Sequence, residues 1–203
     1  MKDKRTLYEK SVQDRSSIRY ILGLLVRWKQ NLKYERARRI ARKNGATVGD
    51  HVTMPITLAK RLNKNVVIGD HVSILTNNIT SFRYPITIGS HVIIGGNVRI
   101  VMGGHNIDSE EWENMRPNPG LTIDDYVWLA PDSVILSSCQ QIGYGAVVGA
   151  NAIVTKDIAE MSVVVGFPAK EIRKRKVIHS NIIVESLTGG DLEAYIKTRR
   201  SVK

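Results

Sequence analysis

The chain has 203 residues, 42% hydrophobic but only 6% aromatic, with one cysteine and a formal charge of +11. A single cysteine excludes a disulfide framework and is consistent with a reducing cytoplasm, and the apolar run Tyr20–Val26 is far short of the roughly 20 residues that span a bilayer. The charge is uneven: residues 1–45 carry net +10, residues 46–169 net −4 and residues 170–203 net +5. Basicity therefore belongs to the two ends. No helix-turn-helix, zinc-finger or aromatic RNA-binding signature accompanies it, so no nucleic-acid partner is expected. Nor does the N-terminus show the apolar core and small-residue cleavage site of a secretory leader.

Residues 15–44 read as a helix, apolar at Ile18, Ile21, Leu22, Leu25, Trp28 and Leu32 and then strongly basic. The favoured reading packs it on the open edge of the structure that follows, protecting that edge from further pairing. The other is a peripheral membrane contact, an interfacial helix on anionic lipid. The predicted organisation is a basic helical segment at 1–45, a repeat domain at 46–166 and a helical extension at 167–203.

From Val48 onward the chain keeps time. Aliphatic residues stand at Ile68, Ile74, Ile88, Ile94, Ile100, Ile123, Leu129, Ile135, Ile142, Val148 and Val154, with a step of six inside each uninterrupted run. Glycine often follows, as at Gly69, Gly89, Gly95, Gly143 and Gly149, and a small or β-branched residue comes four places after the aliphatic. Six suits neither an amphipathic helix nor simple strand alternation. It suits short strands joined by tight turns, where glycine accepts the dihedrals and small side chains fit a corner. Residues 54–67 and 75–87 are looser and read as bulged. ILSSCQQ carries one extra residue, which makes Cys139 a turn residue and not a nucleophile.

His51, His71 and His91 recur every twenty residues in VGDHV, IGDHV and IGSHV. They share one turn phase and are expected to stack along an edge. A metal needs convergent ligands with support behind them, so no metal site is predicted. The ladder stops at 101–120, VMGGHNIDSEEWENMRPNPG, a polar excursion carrying His105. After the ladder, GFPAKEIRKRK reads as a break and then a short basic helix starting near Pro168. Residues 189–200 read as a last helix with Asp191 as its N-cap.

The repeat, the His-bearing loop, DDYVWLAPDSVIL and GAVVGANAIVTKDIAEMSVVVGFPAKEIR together resemble the hexapeptide-repeat acyltransferases, over roughly 46–176. The sugar and polysaccharide O-acetyltransferases are the nearest group. The resemblance implies an all-β, left-handed parallel β-helix, here with an N-terminal basic helix and short C-terminal helices. It implies acetyl-CoA as donor, a sugar or glycan hydroxyl as acceptor, and a homotrimer with sites between subunits. His105, five residues past Ile100, matches the family's catalytic histidine. A hydroxyl is a poor nucleophile at neutral pH, and an imidazole is suited to take its proton during attack on a thioester.

The resemblance also assigns Trp128 to a place beside the pantetheine arm. It puts Ala130, Gly149 and Ala150 at small turn positions along that arm, and Thr155 and Lys156 near the cofactor's phosphate end. Lys170 and Arg173 meet its phosphates, and Asn78 contacts the acceptor. Pro131 stands where relatives offer a hydroxyl and an N–H. Proline has no N–H, which leaves the Ala130 amide or protonated His105 to stabilise an oxyanion. The group that orients His105 is open among Asp108, Glu110 and a backbone carbonyl. The reading from another class is a non-catalytic β-helix scaffold or binding protein, which needs neither His105 nor the late cations.

Overall fold

The computed structural model describes residues 5–113, 119–180 and 182–201. Two helices come first: α1 (Leu7–Gln13), closed by a capping box between Thr6 and Glu9, and α2 (Ser17–Lys43), which starts at Ser16. Six strands follow: β1 (Thr47–Val48), β2 (Val66–Ile68), β3 (Ser73–Ile74), β4 (Ile86–Ile88), β5 (Ile93–Ile94) and β6 (Arg99–Ile100). After the polar excursion come β7 (Leu121–Ile123), β8 (Trp128–Leu129), β9 (Val134–Ile135), β10 (Gln141–Ile142), β11 (Val147–Val148) and β12 (Ile153–Val154). The last two strands are β13 (Ser162–Val165) and β14 (Lys170–Lys174), before a final helix α3 (Leu192–Arg200).

From β4 to β12 these strands are dealt in rotation onto three sheets. The first sheet runs β1-β2-β4-β7-β10, the second β3-β5-β8-β11-β13-β14 and the third β6-β9-β12. Every pairing is parallel except β13 with β14. The hexad aliphatics meet in register, Ile68 with Ile88 and Ile88 with Ile123 on the first sheet, Ile94 with Leu129 on the second, Ile100 with Ile135 on the third. All of these are at most 2% exposed. A residue at every sixth place is inside because each short strand ends on an inward-facing aliphatic just before the chain turns a corner and starts the next strand. That is the physical content of the period.

The corners explain the glycines and the polar residues beside them. A Cβ on Gly95 would lie 2.8 Å from the Pro131 nitrogen of the next circuit, so stacking itself demands glycine there. Side-chain oxygens then cap the backbone one circuit below: Asp70 accepts from the Asp50 amide at 2.7 Å, Ser90 from Asp70 at 3.1 Å and Asp125 from Ser90 at 2.6 Å. The next residue is left-handed, with φ of 56°, 54° and 57° at His51, His71 and His91. Their rings stack as expected, with centroids 4.7 and 5.0 Å apart, and Tyr126 extends the column at 4.8 Å. Their outer edge meets the C-terminal segment, where His71 Nδ1 lies 3.1 Å from Glu185.

Three expectations are corrected. Residues 56–59 form a helical turn and not a bulge. The segment after Pro168 is strand β14 and not a helix; its antiparallel pairing with β13, register Val165 with Lys170 and Ser162 with Lys174, outweighs local propensity, so the extension opens by completing the second sheet. Asp191 does stand at the start of α3, but its side chain caps nothing in that helix. It is 1% exposed, pairs with Arg27 at 2.9 Å as an ion pair without hydrogen-bond alignment, and accepts from the Tyr8 hydroxyl at 2.6 Å. Burial, more than that hydrogen bond, pushes the Tyr8 hydroxyl pKa far upward, so this phenol stays neutral. Tyr195 is fully buried, stacked 4.9 Å from Tyr20 and covered by Arg27 at 3.9 Å. The two chain ends thus clasp each other, and the basic half of α2 reaches the repeat domain: Arg38 donates to the Val52 carbonyl and Arg42 to that of Val48.

Cys139 is a turn residue, 2% exposed, with its thiol pKa pushed up to about 12, first by burial and then by the Asp157 charge. At pH 8 its thiolate fraction is so small that an aqueous disulfide reagent should react roughly a thousandfold more slowly than with an ordinary cysteine. Full reaction should appear only in denaturant. A native thiol that titrates at the free-cysteine rate would contradict its burial.

Candidate active site

The excursion departs where β6 ends, at the corner that follows the third sheet. Val101 donates to the Ile135 carbonyl at 2.9 Å, which holds the loop's root. Its far end is pinned at Gly120, with φ of 103°, where a Cβ would run into the Pro85 carbonyl oxygen; Leu121 donates to that same oxygen at 3.0 Å. Only glycine can bring the loop so close to Pro85. Residues 114–118, within the predicted 101–120 loop, lie outside the described residues.

Between its ends the loop is pinched. The Asn106 amide donates to the Glu113 carbonyl and its side-chain amide to Glu113 Oε1, both at 2.8 Å. The Ser109 hydroxyl and then Asn106 hold the Glu113 carboxyl below its ordinary range. This closure brings the carbonyl of Trp112, itself left-handed at φ 48°, to His105 Nδ1 at 2.5 Å. The only proton-carrying partner is the ring, so Nδ1–H donates and Nε2 keeps the lone pair. Of the three candidates for orienting His105, the backbone carbonyl is the one in contact.

His105 is exposed and borders a hollow of about 430 Å³ with Thr80, Ser81, Arg83, Tyr84 and the Val101–Gly104 strip. Asn78 lies outside this lining, two residues before Thr80, with its carbonyl accepting from Ile100 at 3.0 Å. Arg83 and Tyr84 were not singled out from the sequence, because they sit in an irregular stretch with no phase to mark them. The one available signal was their place just before Pro85, on which the loop closes.

The expected cofactor residues fall on two walls. Trp128 is 44% exposed on β8, and Lys170 and Arg173 are exposed on β14 of the same sheet. Ala130, Gly149 and Ala150 follow β8 and β11 at that sheet's edge. Thr155 follows β12 as Val101 follows β6, so Thr155 and Lys156 stand on the edge that carries the His105 loop. Gly149 has a stacking reason to be glycine, since a Cβ would lie 2.7 Å from Val165 Cγ1. The Ala130 amide is also spoken for: it donates to the Val148 carbonyl at 2.9 Å, which removes it as an oxyanion donor. Ladder bonding made that proton unavailable.

No family model matches the chain. The galactoside O-acetyltransferase of Escherichia coli (strain K12) is 31% identical over 142 residues, 69% of this chain and 69% of its own. A putative acetyltransferase of Schizosaccharomyces pombe is 42% identical over 85 residues, 41% of this chain and 40% of its own. The chain spans less than half the length of several curated relatives it matches. Among solved structures, a galactoside acetyltransferase in complex with coenzyme A superposes with a TM-score of 0.51 at 21% identity, covering 86% of both chains.

Proposed function

The chain belongs to the hexapeptide-repeat acetyltransferases, and from that premise we propose that it moves an acetyl group from acetyl-CoA to a hydroxyl of a sugar or surface-polysaccharide precursor. The observation that carries this reading is the Nδ1–H bond from His105 to the Trp112 carbonyl beside an open hollow. It leaves Nε2 as the base. In this reading Nε2 takes the acceptor's hydroxyl proton as that oxygen bonds to the thioester carbon. His105, now positive, sits next to the developing oxyanion and stabilises it, the role left open once Pro131 and the Ala130 amide are removed. When the carbon–sulfur bond breaks, the imidazolium returns its proton to the departing thiolate. The acetyl ester and free coenzyme A remain, with no acyl-enzyme.

The second sheet fits the donor's chemistry: an exposed indole at Trp128 for the apolar arm, and the cations Lys170 and Arg173 for phosphates. In this reading the circuits wind left-handed, as a parallel β-helix. Because His105 and Trp128 stand on different walls of one chain, three copies around a threefold axis would set the His105 edge of one against the second sheet of the next. A chain with one buried thiol suits a reducing compartment, the cytoplasm.

Thiol release from acetyl-CoA across a panel of carbohydrate acceptors tests the activity. Release that depends on an acceptor is expected. Lys170→Ala and Arg173→Ala should each raise the apparent constant for acetyl-CoA by about tenfold, as loss of a charge-assisted phosphate contact does. The same variants should act less on a donor lacking the 3′-phosphate and leave acceptor affinity alone. No release with any acceptor favours the scaffold reading, and equal losses with both donors make these cations structural.

A further inference from the structure

The clasp of the chain ends fixes which way α2 faces. Gly23 abuts the Tyr195 hydroxyl, Arg27 covers the Tyr195 ring at 3.9 Å and pairs with Asp191, and the Tyr34 hydroxyl donates to the Thr188 carbonyl at 3.2 Å. The opposite face, expected from sequence to lie on the repeat domain, is bare. Ile18 is 74% exposed, and Ile21, Leu22, Leu25 and Trp28 are all more than half exposed, with Leu32 at 49%. These six residues form one stripe about 21 Å long at 1.5 Å per residue.

Charge says what the stripe can meet. Helix α2 carries nine Lys or Arg and a single acid, Glu35. Arg19, Lys29 and Arg36 are exposed beside the stripe and make no ion pair among the described residues. Where α1 meets α2, a hollow of about 600 Å³ is lined by Arg15, Arg19 and Arg27 together with Leu22 and Val26, cations set next to aliphatic walls. Arg27 is already paired with Asp191, but a second copy laid on this face would bring Arg15, Arg19, Lys29 and Arg36 against their like-charged equivalents. An anionic phospholipid surface would neutralise them while taking the apolar stripe out of water.

We propose that the outer face of α2 lies flat on an anionic phospholipid bilayer. It does not cross: no helix of the described residues is long and apolar enough. Ile18 to Leu32 enters the boundary between headgroups and acyl chains, and Arg19, Lys29 and Arg36 meet lipid phosphates from its margins. The proposal is independent of the acyl-transfer reading.

The test is flotation of the full chain with vesicles of phosphatidylglycerol and phosphatidylcholine, against phosphatidylcholine alone. Binding at least about tenfold stronger to the anionic vesicles, and weakened by salt, is expected. The pair Leu22→Glu and Leu25→Glu should lose that binding while keeping helical circular dichroism and thiol release, and Arg19→Glu with Lys29→Glu should lose the anionic preference alone. Wild type that does not float, or a Leu22→Glu/Leu25→Glu chain that floats equally well, would overturn it. So would a drop in sedimenting mass of that variant, which would make the stripe an interface between copies.

Discussion

His105→Ala is expected to lower turnover by about 10²–10⁴-fold, the usual contribution of a positioned general base, with the fold unchanged. The side chain is exposed and its hydrogen bond runs to a loop carbonyl, so nothing in the stacked core depends on it. The proposed sharing of sites between copies predicts a second result. Mixing His105→Ala chains with Trp128→Ala chains should restore part of the activity, because some interfaces then pair an intact histidine with an intact second sheet. Near-normal turnover in His105→Ala with a productive acceptor would remove it from the chemistry. Two inactive variants that never complement would place each site within one chain.

The second large effect is on stability. Asp191→Ala strips the counter-charge from Arg27, whose side chain is 14% exposed, and the acceptor from Tyr8. Leaving a buried charge unpaired costs about 3–5 kcal/mol, more than the other contacts of the clasp supply singly. Hydrogen exchange in α1 and α3 should accelerate by two orders of magnitude or more, while amides of the third sheet keep their protection. Asp191→Asn, which retains an acceptor for Tyr8, should lose less. A change under about 1 kcal/mol in Asp191→Ala would mean that Arg27 finds water or another partner.

How much of this was readable in advance follows from the range of each interaction. The hexads were legible because the burial of Ile94 or Ile135 is decided by its place in its own strand and corner, within six residues. The long helix was legible from its spacing, and the excursion from the break in phase at Val101. His105 stood out through its position after Ile100, and the type of partner that orients it was among the candidates, yet the pinch between Asn106 and Glu113 that delivers the Trp112 carbonyl was not.

The remainder depended on residues far apart in the chain. KEIRK is charged enough to read as helix, and it became β14 because the edge of β13 offered it a ladder. Asp191 had the look of a cap, and was claimed by Tyr8, 183 residues away. The apolar stripe of α2 was visible from the start, but its direction was not: a helical period says that Ile18, Leu22 and Leu25 share a face, never what that face meets. The local alphabet of hexads, turns and caps is written by short-range sterics and solvation, so residue order suffices for it. Which exposed wall, loop or chain end meets which other is set by packing across the whole molecule, where one buried ion pair outweighs several local preferences.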